Sequence, residues 1–140
     1  MKSLGGLIFC FVFFSVVFFS CCKENEQVYD SFLIKVDSIG IQEKITAGEP
    51  FVIQFFGTIG NNGCYRFSKF KTEKQDYHIV VEAWGELKTN AGICPANMVY
   101  IDGEKLSYQI ENPGNYVLRI KQPNGSFLEK QILVEGQSSE

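Results

Sequence analysis

Cys64, Asp76 and His78 bring a thiol, a carboxylate and an imidazole into one short stretch of chain. These are the residue types of a cysteine-protease relay, in which a base takes the thiol proton and a carboxylate orients the base. Two features weigh against that chemistry: a bond between Cys64 and Cys94 would consume the thiol, and Asp76 falls in a stretch of turn character. Zinc fares no better, because a structural site wants four ligands and His78 is the only histidine. Gly57, Gly60 and Gly63 recur at threes, yet no helix follows to present its N-terminus to a phosphate, so they read as bulge and turn glycines. Asn124-Gly125-Ser126 matches a glycosylation sequon, but Asn-Gly at this place is better explained as hairpin chemistry. No pair of carboxylates is placed for acid–base hydrolysis, which leaves a small hydrolase the least supported function class. The expectation is a chain without catalytic residues, metal or cofactor.

The elements that would position these residues read as strands from Tyr29 onward. Phe32, Ile34 and Val36 alternate with Leu33, Lys35 and Asp37, a period of two that predicts a first strand ending near Gly40. Thr46 to Pro50 is a turn, and Phe51 to Ile59 is apolar enough to be a central strand, with Phe51, Ile53, Phe55 and Ile59 on one face. After Gly60-Asn61-Asn62-Gly63, a strand from Cys64 to Lys71 carries Tyr65, Phe67 and Phe70, and Thr72 to Asp76 reads as a tight reversal. Tyr77 to Leu87 puts Tyr77, Ile79, Val81 and Ala83 on one side and His78, Val80, Glu82 and Trp84 on the other, the pattern of a half-buried strand. Lys88 to Asn97 reads as a loop. Met98–Tyr100 and Leu106–Ile110 read as two short strands hinged at Asp102-Gly103. Turns at Asn112-Pro113-Gly114 and Pro123-Asn124-Gly125 then bracket two last strands, and no helical period appears after the leader.

Ahead of the strands, Lys2 is followed by an apolar stretch from Leu4 to Phe19 that ends at Ser20-Cys21-Cys22. As a helix such a stretch would span ~24 Å, short of the ~30 Å hydrocarbon core, so it reads as the h-region of an export signal. A buried soluble helix would need an amphipathic stripe, and this segment has no polar face. Phe18-Phe19-Ser20-Cys21 resembles a bacterial lipobox, in which the cysteine receives a diacylglycerol and becomes the mature N-terminus. The resemblance implies that residues 1–20 are a lipoprotein signal peptide and that Cys21 is the lipidation site, with Cys22 a second acceptor beside it. Lys23-Glu24-Asn25-Glu26 resembles the acid-rich surface-export signal of Bacteroidetes-type lipoproteins, and equally suits a solvated tether over residues 21–29. The implied place is the outer membrane, lipid-anchored, with exposure at the cell surface left open. Six of the thirteen Phe residues lie in the leader, and without it the chain has 12 basic and 16 acidic side chains. With neither a basic stripe nor a Lys/Arg run, this balance argues against nucleic acid or anionic lipid headgroups as partners.

For an exported chain, Cys64 and Cys94 are better explained by a disulfide than by a metal. If the strand after Cys64 turns back on itself, residues near Gly85 return beside Cys64, and the loop Glu86 to Asn97 starts at that same end. The bond would then pin this loop against Gly60 to Gly63 in one stiff polar tip. Such a tip could be stapled for stability alone, or could present Asn61, Asn62, Asn90 and Pro95 to a ligand. Trp84 likewise has two readings, a core residue or a partly exposed aromatic platform for sugar or protein.

Pro113-Gly114-Asn115-Tyr116-Val117-Leu118-Arg119-Ile120 resembles the penultimate strand of Ig-like and fibronectin-like bacterial domains. Seven or eight short strands with turns every eight to twelve residues predict an all-β, antiparallel β-sandwich over residues 30–136, followed by a frayed tail at 137–140, and the resemblance implies that this sandwich is Ig-like. It also implies that Tyr116 hydrogen-bonds back across the corner to backbone near Glu111 to Pro113. Antibody domains differ in that their disulfide joins two other strands. The functional expectation is a lipid-anchored, non-catalytic recognition or adhesion module with an unknown protein or glycan ligand. The alternative is an enzyme inhibitor or protective envelope lipoprotein that acts through the disulfide-pinned loop.

Overall fold

The computed structural model describes residues 27–42 and 44–137. The expected signal peptide, Cys21 and Cys22, and most of the expected tether and tail lie outside the described residues. Nine strands form two sheets, and no helix occurs among the described residues. One sheet holds β1 (Tyr29–Leu33), β3 (Ile45–Thr46), β5 (Tyr65–Gln75), β6 (His78–Lys88), β8 (Gly114–Lys121) and β9 (Phe127–Glu135). The other runs β2 (Lys35–Ile41), β4 (Pro50–Gly60), β7 (Val99–Gln109), with β4 in its centre. The two sheets share one core, in which Ile53 and Phe55 of β4 and Ile79, Val81, Ala83, Leu118 and Ile120 of the larger sheet are completely buried.

The larger sheet is mixed rather than antiparallel: β6 runs parallel to β8, and β3 parallel to β9. The reason is neighbour order. β5 and β6 form an antiparallel hairpin, and it is the second of them that lies beside β8. Between β6 and β8 the chain crosses to the other sheet and back through β7, reversing twice, so the two strands point the same way. Residue patterning marks strands and faces but carries nothing on which hairpin arm meets which neighbour.

The expected first strand is two strands. Its alternation is real, with Ile34 and Val36 both buried, but the chain changes sheets in the middle. The Ile34 amide still donates to the Ala83 carbonyl (2.8 Å), and from Lys35 the partners are on β4. A bulge at Asp37 follows, between the pairs Val36–Gly57 and Ser38–Phe56. Gln122 closes this seam. Its side-chain amide accepts from the Val36 N–H and donates to the Val36 carbonyl, both at 3.2 Å, as a neighbouring strand would. A buried polar side chain is tolerable there because both backbone groups it faces are satisfied.

Three further expectations are corrected. Asp102-Gly103 does not turn the chain; β7 runs straight through it. An Asn-Gly or Asp-Gly hairpin needs positive φ at both residues, whereas here only Gly103 has it (φ 77°), and the glycine forms a bulge between the pairs Phe55–Glu104 and Phe56–Asp102. Thr72 to Gln75 is strand, and the reversal is the two residues Asp76-Tyr77, with Asp76 at φ 52°. The strand from Cys64 to Lys71 therefore extends to Gln75, and a bulge at Ser68 lets Phe67 and Phe70, three apart, meet in the core with ring centroids at 4.8 Å. The remaining turns stand where the sequence puts them: the Glu49 amide donates to the Thr46 carbonyl (3.2 Å), and the Gly125 amide to that of Gln122 (3.0 Å).

Candidate recognition surfaces

Cys64 and Cys94 are joined in a disulfide, with Cα atoms 5.3 Å apart. The local chain explains the fit. Cys64 sits just ahead of β5, whose pairing with β6 brings Leu87 opposite Tyr65, and the Lys88 amide donates to the Cys64 carbonyl (3.0 Å). The segment between β6 and β7 thus leaves from beside Cys64 and needs only a short path to return to it. The Gly63 amide donates to the Pro95 carbonyl (2.8 Å), and a Cβ on Gly63 would stand 2.9 Å from Asn97 Oδ1 and 3.0 Å from the Pro95 ring. Phe32 and Tyr65 pack edge to face beneath this tip, centroids 5.6 Å apart. The tip is one stiff body.

Its predicted ligand residues divide. Asn62 is half-buried and occupied by the turn: its Oδ1 accepts from the Cys64 amide (3.0 Å) and its Nδ2 donates to Asn61 Oδ1 (3.2 Å). Asn61, Asn90 and Pro95 are exposed. Ile93 was missed by sequence reasoning. It is 93% exposed, next to Cys94, and only the fold shows that the staple holds it outward.

The start of the described chain lies at the same end. The Thr89 amide and hydroxyl both meet the Val28 carbonyl, at 3.0 and 3.2 Å, and Tyr29 pairs with Lys88.

Trp84 is half-buried on the outward face of the larger sheet, so it is not a core tryptophan. Its indole N–H donates to Glu82 Oε2 (2.9 Å), Glu82 Oε1 accepts from Lys121 Nζ (2.7 Å), and Lys71 Nζ sits 4.6 Å above the ring. Hydrogen bonds from the Lys121 ammonium and then the indole hold the Glu82 carboxyl below the ordinary carboxylate range. Further along the same face Arg66 bridges to Glu86 (2.6 Å) and stacks on Tyr29 (4.0 Å), and Arg119 pairs with Glu129 (2.8 Å) over Phe127. This face is largely satisfied by its own contacts.

His78 cannot serve Cys64. It opens β6 at the far end, while the Cys64 carbonyl meets Lys88 at the other end of that strand, roughly 30 Å away at the rise of a strand. No group of three or more His, Cys, Asp or Glu placed to hold a metal occurs among the described residues.

At that far end is a second surface that sequence reasoning did not single out. Lys74, Asp76, Tyr77, Asn112 and Tyr116 line an open depression of about 620 Å³. Tyr77 is 58% exposed and rests against Tyr116, with ring centroids 5.3 Å apart. Tyr116 itself is buried, and its hydroxyl donates to the Asn112 carbonyl (3.0 Å), within the segment expected of a corner tyrosine.

Compared with protein-family models, curated proteins and solved structures, the chain matches none.

Proposed function

We propose that this chain is a lipid-anchored, non-catalytic recognition or adhesion module of a bacterial outer membrane, built on one Ig-like sandwich. The observation that carries the reading is where the chain enters the fold. With Val28 bonded to Thr89, a tether from Cys21 arrives at the disulfide end and leaves the Tyr77 end pointing outward. The run Lys2 to Cys22 supports the anchor, and the Tyr116–Asn112 bond supports kinship with Ig-like domains. Its nine strands and two parallel pairings depart from the antiparallel seven- or eight-stranded form of that plan.

In this orientation the recognising surface is the depression around Tyr77. An exposed tyrosine ring flanked by an ammonium, a carboxylate and an amide suits a sugar ring or a peptide side chain, which stacks on the ring while its polar groups bond the rim. Cys21→Ala should leave an unprocessed or soluble product, and membrane fractionation after alkaline washing checks it. A glycan array and a pull-down from envelope extracts should then yield a ligand whose capture is lost in Tyr77→Ala and kept in Asn61→Ala. Capture that ignores Tyr77 refutes this surface.

Ile93 supports a second reading, since an exposed side chain on a disulfide-stiffened loop is also the form of an enzyme-blocking loop. An inhibitor would ignore glycans, pull down an enzyme, and release it in Ile93→Asp.

A further inference from the structure

The disulfide end gathers exposed aliphatic side chains; elsewhere among the described residues the large exposed hydrophobics are Tyr77, Tyr100 and Leu133. Val28, Ile93 and Met98 are 52%, 93% and 48% exposed, and all three belong to the chain entry or to the loop between β6 and β7. Residues 60–64 and 88–98 contain a single charge, Lys88, and no carboxylate. Segments 73–77 and 111–115 at the opposite end carry Glu73, Lys74, Asp76 and Glu111. The loop segments at this end thus expose apolar side chains and no carboxylate of their own; the acids beside them are Asp30 and Glu86 on the flanking strands, with Glu86 bridged to Arg66, and Glu24 and Glu26 in the tether.

Taken with the lipid anchor proposed above, on which this inference rests, the tether fixes what that end faces. Cys21 is six residues from Gln27, so even a fully extended tether spans at most about 22 Å. We propose that the disulfide-pinned loop rests on the lipid surface itself, with Ile93 inserted at the boundary between headgroups and acyl chains. Burial of apolar side chains drives such contact, and the depth reached is ~5–10 Å. The loop segments carry no carboxylate, so insertion of Ile93 buries no acid, and apolar burial rather than charge drives the contact, because Glu24 and Glu26 of the tether offset Lys23 and Lys88. The staple and the Gly63–Pro95 bond hold the loop open, so Ile93 cannot fold back onto the domain and little ordering is lost on insertion. The acyl anchor would supply residence, and the loop would set the domain upright with Tyr77 outward.

The test uses the full mature, acylated protein in phosphatidylethanolamine–phosphatidylglycerol vesicles whose acyl chains are brominated near the headgroup. Ile93→Trp adds an indole to the single native Trp84, and Tyr77→Trp adds one at the other end. The added emission of Ile93→Trp should shift to the blue and lose most of its intensity to bromine, while that of Tyr77→Trp stays water-like. If the protein floats with the vesicles but the Ile93→Trp indole remains water-exposed, the loop does not touch lipid and the inference fails alone. Quenching of Tyr77→Trp instead overturns it by showing the domain reversed. Shielding of Ile93→Trp only on addition of a captured enzyme, with no bromine quenching, overturns it in favour of the inhibitor loop. A protein that carries no acyl group and does not float sinks the anchor and this inference together.

Discussion

At the disulfide end, order comes from a covalent bond and main-chain hydrogen bonds closing on a loop with little core of its own. At the opposite end it comes from one buried phenol, whose ring fills the core while its hydroxyl holds the turn at Asn112. The two solutions suit their surroundings. The loop between β6 and β7 has ten residues and leaves its large apolar side chains Ile93 and Met98 exposed, so cutting its freedom in the unfolded chain is the effective lever. The turn before β8 is short, and buried Tyr116 just beyond it reaches back to Asn112, so a single side chain suffices. A staple stabilises whether or not it presents a surface, and the depression beside Tyr77 is an open surface backed by a well-packed strand.

This contrast can be broken first at the disulfide. Replacing Cys64 and Cys94 together by Ser should lower stability by about 3 to 4 kcal/mol, the chain-entropy value for a loop of this length. Urea melts would read it, and a loss well under 1 kcal/mol would mean that the hydrogen bonds alone hold the tip. Removing the Tyr116 hydroxyl with Phe should cost about 0.5 to 1.5 kcal/mol because the Asn112 carbonyl loses its donor. Tyr77→Phe, whose hydroxyl has no such bond among the described residues, is the matched control and should leave the midpoint unchanged.

Midway between the ends, the Glu82 carboxyl is held below its ordinary range, chiefly by Lys121. Its folded pKa is therefore lower than its unfolded one. The stabilisation it gives is complete above the usual carboxylate range and disappears as pH falls through the lowered value. Glu82→Gln should be less stable than the parent by up to about 1 kcal/mol at pH 7, the scale of a partly exposed pair, with the gap closing in acid. A gap that persists at pH 2 would assign the effect to packing against Trp84 rather than to charge. The smallest effect belongs to Ile93→Ser, which should move stability by no more than about 0.5 kcal/mol because the side chain touches almost nothing in the isolated domain. A thermal melt that drops clearly would show Ile93 packed and deprive both the loop's readings of their exposed residue.

Residue types and spacing were enough to establish an all-β domain, the inward faces of β4 and β6, the turns at Thr46 to Pro50 and Pro123 to Gly125, and the pairing of Cys64 with Cys94. Each of these follows from a local regularity: a period of two, a turn dipeptide, or two cysteines left to pair once the chain is expected to be exported. What the tertiary structure decided are the places where one strand must serve two sheets or choose a neighbour. Phe32, Ile34 and Val36 alternate without interruption, yet the chain changes sheets among them, because inward-facing residues look alike whichever sheet they leave. Asp102-Gly103 has the composition of a hairpin, and only the long partner β4 beside it keeps the strand straight with one glycine bulged. The parallel pairing of β6 with β8 and the exposure of Ile93 and Tyr77 likewise depend on which segments meet in space. Patterning records whether a side chain faces in or out along its own strand; the partner it meets is set by long-range packing, for which a single sequence holds no local mark.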